Sequence, residues 1–375
     1  MSDFIKDRPL RVGIVGIGMI GKNHLNIYQE MPERAQVVAI CDIDTPEAER
    51  VAKKYGIPEK DIHYWFRDML KRDDIDTVDV CLHNNLHPAV TIAALQSGKH
   101  VYCEKPMAGS YYDAVEMARV AQETGKKLYI QLNTLFDLKT RAAKVLIDAG
   151  KLGKLYHARS VGDRRRGRPY VDGYGRMQFV QKEISGGGAM YDMAVYHVCQ
   201  LLYLLGNPEV LTVSGKAYQE TEMDEERRKI SGYSVEELGV GFVRFANDIT
   251  MDIIEPWTMH MVIEEGCSIA GSTGGIRLDP WCYFSNLGDL DLNTTVDFDD
   301  YNWRLHSIRE NPDAYENAQT HWVAAMQGRV EMYPAVSYAL NHMLISEGIF
   351  LSSKLGREVT AEEVKKTSKS TAVKL

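Results

Sequence analysis

The chain has little that would tie it to a membrane, a nucleic acid or an oxidising compartment. Its most apolar stretch, residues 195–205, contains His197 and Gln200, and it is shorter than the roughly 20 residues needed to cross a bilayer. Residues 1–10 are polar and carry no apolar leader, so no secretory signal is expected. The 44 basic residues fall short of the 52 acidic ones, a net charge of -8; a phosphate backbone needs the opposite balance, so nucleic acid is not an expected partner. Six cysteines, Cys41, Cys81, Cys103, Cys199, Cys267 and Cys282, include no Cys-x-x-Cys pair. That argues against a zinc site or a disulfide scaffold and suits a cytoplasmic location. Repeats, low-complexity tracts and linkers are lacking too, and only the last ten residues look loosely held. What remains is a soluble chain long enough for two domains, expected at 1–133 and 134–375.

The first of these is written in alternating strands and helices. An apolar strand at 10–15 runs into Gly16-Ile17-Gly18-Met19-Ile20-Gly21, a helix follows to about residue 30, and a second strand covers 36–40. Strand, Gly-x-Gly-x-x-Gly, helix, strand is the setting of a dinucleotide turn. Gly16 makes the turn, Gly18 lets the backbone of Gly18, Met19 and Ile20 approach a pyrophosphate, and Gly21 lets helix and strand pack closely. Asp42 stands 21 residues after Gly21; a carboxylate about 20 residues on accepts the adenosine ribose hydroxyls and repels a 2′-phosphate. No Arg or Lys follows until Arg50, so NAD is expected over NADP. Helices at 45–55, 64–71, 88–97 and 111–124 alternate with strands at 77–82, 100–103 and 127–131. That pattern reads as a doubly wound parallel sheet. Ligands bind at the carboxyl ends of such strands, so His83, Asn84, His87, Glu104 and Lys105 are expected to face the cofactor cleft. His83 and His87 are four apart, but Pro88 follows and no Glu completes a zinc motif, so no metal is expected.

At this point the sequence resembles the glucose–fructose oxidoreductase, inositol dehydrogenase and MocA family. The resemblance rests on the glycine turn, "CLHNNLH", "GKHVYCEKPMA", "SGGGAMYDMAVYH" and "EGIFLSSKLGREVTAEEV" in that order. It implies an α/β protein: an N-terminal Rossmann doubly wound parallel sheet, then a C-terminal α/β domain with a large, mostly antiparallel open sheet. It also implies assembly into a homo-oligomer through that sheet, and NAD-dependent oxidation or reduction of a sugar, glycoside or cyclitol. The second half agrees, with strand-like runs at 155–161, 210–217, 238–245, 249–255, 259–264 and 267–270 and helices at 139–149, 188–205 and 333–354.

The resemblance further implies a catalytic lysine at Lys105, in a Lys-Pro bond that is commonly cis, and an aspartate at Asp192 followed four residues later by the acid or base. That position is Tyr196, with His197 next to it. On one continuous helix Tyr196 would lie about 40° around the axis from Asp192 and His197 about 140°, which favours Tyr196 as the base and leaves His197 as its rival. Lys105 as a cation beside the phenol would help Tyr196 accept a proton, with Asp192 orienting substrate. The basic run 164–168 supplies Arg164, Arg166 and Arg168 as a substrate rim, since guanidinium forks suit hydroxyls, carboxylates or phosphates. "QLNTLFD" lacks an arginine that many relatives carry near Leu135, so their substrate contacts do not transfer wholesale. Two other classes compete with the dehydrogenase: a glycoside-cleaving enzyme working by transient oxidation and elimination, and a non-catalytic NAD-binding sensor.

Overall fold

The computed structural model describes residues 4–375. Its first sheet holds β1 (Leu10–Val15), β2 (Ala35–Cys41), β3 (Ile62–His63), β4 (Thr77–Val80), β5 (His100–Cys103) and β6 (Leu128–Ile130). The strands are all parallel in the order β3-β2-β1-β4-β5-β6, which reverses direction at β1. The strands are near-continuous apolar runs because both faces are covered: Leu10, Val12 and Ile14 have no exposed surface. Local chemistry sets the helix ends. Asp44 caps the helix Thr45–Tyr55 through the Glu47 N–H and Gly56 ends it in the left-handed region, while Ser110 and Gly125 do the same for Tyr111–Thr124.

The second sheet contains β7 (Leu155–Val161), β8 (Val210–Tyr218), β9 (Leu238–Phe245), β10 (Thr250–Pro256), β11 (Ser268–Gly271), β12 (Gly274–Leu278), β13 (Trp281–Leu287), β14 (Leu290–Thr294) and β15 (Val359–Thr360). Their order is β14-β13-β12-β11-β7-β10-β9-β8-β15. Only β7 and β10 pair in parallel; every other neighbour is antiparallel. The long helix Ala335–Leu355 lies across β8 and β9, where Gly215, Gly241 and Gly348 leave room for Ile349 and Val213. Helix Ala318–Met326 instead returns to the first sheet, its Trp322 ring lying 6.2 Å from Tyr102 and 6.0 Å from Tyr129. The second half of the chain thus completes the core of the first.

Three expectations change. Residues 259–264 form no strand; the apolar run there leaves the sheet, with Met261 and Val262 exposed. The helix expected over 188–205 is two helices, Ala189–Asp192 and Ala194–Leu205, separated by a break at Met193. Nor are the last residues loose: Thr371 N–H donates to Asp113 Oδ2 at 2.8 Å and Val373 N–H to Asn85 O at 3.0 Å, strapping the C-terminus to the Rossmann layer.

Candidate active site

The glycine turn is shaped by close contacts on two sides and open space on a third. Gly16 sits at φ +94°, and a Cβ there would meet Cys81 O at 2.3 Å; a Cβ on Gly21 would meet Gly16 O at 1.9 Å. Around Gly18 a Cβ would meet nothing within 4 Å. The helix Met19–Gln29 begins there with no side-chain cap, so its first N–H groups and its dipole face that space, where a pyrophosphate fits. Asp42 is half-buried beside the turn; its Oδ2 accepts the Ile17 N–H at 2.7 Å and its Oδ1 the Asp44 N–H at 2.9 Å. It therefore fixes the turn, and Asp44 is the helix cap. Lys22 and Arg50 both pair with Glu47, at 2.8 and 2.7 Å. The residues present fit NAD: a bare cradle for the phosphates and a carboxylate at the ribose position.

Beneath the turn lies a charged cluster. His24, in the helix Met19–Gln29, places Nδ1 3.0 Å from Asp79 Oδ2 and Nε2 2.9 Å from Glu104 Oε1. Burial opposes a charge on this imidazole, but the Asp79 carboxylate and the Cys81 sulfur outweigh it and raise its pKa well above the ordinary value. Tyr28 Oη also donates to Asp79, at 3.0 Å. His24, Asp79 and Cys81 lie close enough to hold a metal, yet they already bond one another, with the Cys81 sulfur 3.3 Å from both His24 Nδ1 and Asp79 Oδ1.

This arrangement corrects part of the expected cofactor wall. Glu104 turns inward, 8 % exposed, to bond His24 and to accept the Lys105 N–H at 3.1 Å. His87 is fully buried, with Nδ1 2.9 Å from Pro106 O and Nε2 3.0 Å from Leu82 O. It braces the cis Lys105–Pro106 segment against the end of β4 and leaves no nitrogen for a cofactor. Asn84 Nδ2 donates to Ser185 O at 2.8 Å, a contact between the two halves of the chain. His83 is half-buried, edge-on to Phe179 at 6.0 Å.

The catalytic candidates do come together. Lys105 leaves the carboxyl end of β5, and its Nζ donates to both Asp192 O and Asp192 Oδ1 at 3.0 Å. The same ammonium lies 4.3 Å from the centroid of the Tyr196 ring. Asp192 Oδ2 accepts the Trp257 indole N–H at 3.0 Å. Burial works against both charges, but each holds the other: Asp192 draws the Lys105 pKa above the usual lysine range, and Lys105, with Trp257, keeps Asp192 below the usual carboxylate range. Thr134 Oγ1 donates to Tyr196 O at 2.9 Å and secures the start of the helix Ala194–Leu205.

His197 belongs to a neighbouring pair. Its Nδ1 lies 2.9 and 3.1 Å from the two oxygens of Glu255, which has no exposed surface and also accepts Ser160 Oγ at 2.6 Å. Burial is outweighed by Glu255, so the His197 pKa is raised. The break at Met193 means that angles around one helix do not decide between Tyr196 and His197.

The arginine rim divides. Arg164 is half-buried and donates to Tyr174 Oη at 3.0 Å, and Arg166 is exposed. Arg168 is 2 % exposed and spends its side chain on Asp172, Glu237, Thr221 O and Glu222 O, so it is a structural residue with no donor left for a ligand. Trp257, Glu255 and Ser160 were missed from sequence. A signal for one existed: Glu255 continues the buried alternation Met251, Ile253 along β10, and an acid on the apolar face of a strand needs a partner.

Residues 10–132 match the oxidoreductase family with an NAD-binding Rossmann fold, and residues 140–277 match the Gfo/Idh/MocA C-terminal domain. The chain is 30% identical to the D-glucoside 3-dehydrogenase of Escherichia coli over 82% of its length and 88% of that protein's. It is 35% identical to the inositol 2-dehydrogenase of Salmonella paratyphi B over 39% of its length and 43% of that protein's. In structure it superposes on the aldose-aldose oxidoreductase of Caulobacter crescentus with a TM-score of 0.73 at 22% identity, covering 94% of this chain and all of that one. The glycine turn, the two sheets and these matches together establish that the chain belongs to the glucose–fructose oxidoreductase, inositol dehydrogenase and MocA family of NAD-binding oxidoreductases.

Proposed function

We propose that the protein oxidises a secondary alcohol of a sugar, glycoside or cyclitol, with Lys105, Asp192 and Tyr196 arranged around the reacting hydroxyl. The observation that carries this is the Lys105 ammonium, held at 3.0 Å by Asp192 and 4.3 Å from the Tyr196 ring centroid, at the carboxyl end of a Rossmann strand. When bound, NAD supplies the hydride acceptor. The protein's own residues manage the proton. Lys105 is held charged, so its role is a fixed cation that stabilises negative charge on the hydroxyl oxygen as the proton leaves. At about 4 Å and an effective dielectric of 20 such a charge contributes up to about 4 kcal/mol before desolvation. Tyr196 accepts the proton, and ionised Asp192 orients the substrate while fixing Lys105. Arg164 and Arg166 border the substrate side.

The E. coli relative's name supports a glycoside oxidised at C3 as the first substrate to try. NAD reduction is to be followed against a panel of free sugars, methyl glycosides and inositols, with product NMR locating the ketone. Growth of NADH with one of these compounds is the expected result. Release of aglycone without net NADH would replace the dehydrogenase with the cleaving enzyme. Absence of any hydride exchange would leave a sensor. A second copy is expected on the outer face of the nine-stranded sheet, where Arg159 and Arg244 are exposed; sedimentation checks this. Six free thiols suit a reducing cytoplasm, and no helix among the described residues is long and apolar enough to cross a membrane.

A further inference from the structure

We infer that His197, held by Glu255, is a second proton-transfer group in the same cleft, serving the C–H bond next to the oxidised carbon rather than the O–H bond. This rests on the dehydrogenase reading above, because it needs the ketone that oxidation produces.

Removing a hydride and a hydroxyl proton takes one base, yet the site contains two separately wired acid–base assemblies. In the first, Lys105, Asp192 and Tyr196 meet, with Trp257 on the far oxygen of Asp192. In the second, buried Glu255 takes His197 Nδ1 with both oxygens and is pinned by Ser160. Gly162 keeps the place clear, since a Cβ there would lie 2.9 Å from Glu255 Oε2. With Nδ1 committed as the donor, Nε2 carries the free lone pair whenever the ring is neutral. Among the described residues no hydrogen bond or ion pair engages Nε2, and the side chain is 26% exposed, which gives the proton a route to water.

The two assemblies meet near the end of one strand: Glu255 is in β10 and Trp257 follows it two residues later in the chain. One holds His197 and the other holds Asp192. The Arg164 guanidinium lies close enough to act on the charge of both Asp192 and His197, so the two assemblies border one space, and a sugar ring set against Lys105 there also reaches His197. Tyr196 and His197 are adjacent in sequence, at the start of the helix Ala194–Leu205.

The step balances without a further reagent. His197 Nε2 takes the proton from the carbon beside the carbonyl, the C–H electron pair becomes a C=C bond, and the carbonyl π pair moves onto oxygen. The resulting enolate oxygen lies against the Lys105 ammonium. Return of a proton from His197 regenerates the ketone, so in heavy water the carbon gains deuterium. Glu255 is a positioning residue in this step, fixing the ring and stabilising its charged form.

The test uses methyl 3-keto-β-D-glucopyranoside with the full-length protein. One arm follows its reduction by NADH, and the other follows loss of the proton signals next to the ketone in heavy water with NAD bound. The expected result is reduction in the first arm and protein-dependent exchange in the second. Exchange falls ~10²–10⁴-fold in His197→Asn, by a far larger factor than reduction does. Glu255→Gln keeps part of the exchange but moves its pH profile to lower pH, which a purely structural loss would not do. Reduction without exchange, or exchange equally fast in His197→Asn, overturns the inference and leaves the dehydrogenase standing. Failure to reduce the ketone overturns the dehydrogenase reading at that carbon and this inference with it.

Discussion

Two charges share the reacting centre, and one indole decides how firmly they are set. Trp257→Phe removes the N–H from Asp192 Oδ2 while keeping most of the ring's bulk. A hydrogen bond to a charged group is worth about 1.5–3 kcal/mol, so kcat/KM is expected to fall about 10- to 100-fold. Because the lost donor favours ionised Asp192, the acid limb of the pH profile should also move to higher pH; an unmoved limb in steady-state kinetics would show that Asp192 does not govern it. His197 has the opposite sign. Glu255 raises it from β10, Asp163 adds to this and Arg164 opposes it from the segment after β7. Neutral imidazole is the base, so exchange next to the ketone should climb as pH rises through that raised value. At this scale the sequence disclosed Lys105, Asp192 and Tyr196, because each sits in a motif. It concealed Trp257, Glu255 and Ser160, whose bonds span 65, 58 and 95 residues and belong to no local pattern.

Among the elements, the glycine turn shows two kinds of demand: Gly16 and Gly21 are fixed by close contacts within the fold, whereas the space around Gly18 is open. Two substitutions separate those demands. Gly21→Ala drives a methyl into Gly16 O, so it should lower the melting temperature of the free protein as well as NAD affinity. Gly18→Ala meets nothing in the free protein, so its melting temperature should be near that of the parent, with the stabilisation by added NAD lost. Thermal melts with and without NAD check both; a Gly18→Ala variant still stabilised by NAD would place the pyrophosphate elsewhere. Other elements were less legible. The break at Met193 carries no proline or glycine, and the short helix before it is held from outside by the Glu236 side chain, which accepts the N–H groups of Gly188 and Met190. The run 259–264 has the composition of a strand but no neighbour to pair with, and pairing is not written in a single segment.

For the molecule as a whole, the division into two sheets was legible, whereas the traffic between them was not. Helix Ala318–Met326 crosses back to the first sheet, with Gln319 Nε2 donating to His24 O at 2.8 Å, and the C-terminal strap ends on Asn85 and Asp113. Deleting residues 369–375 should therefore destabilise the Rossmann layer by about 1–3 kcal/mol, the cost of leaving buried polar groups unpaired, read as a lower denaturant midpoint. The central claim is that NAD-coupled oxidation of a polyol depends on the hydroxyl of Tyr196. The most direct test is the rate of NADH formation by the parent and by Tyr196→Phe on the best substrate of the panel, with NAD affinity measured alongside. A loss of ~10²–10⁴-fold in kcat with NAD binding nearly unchanged is the predicted result; a Tyr196→Phe variant as fast as the parent would contradict it.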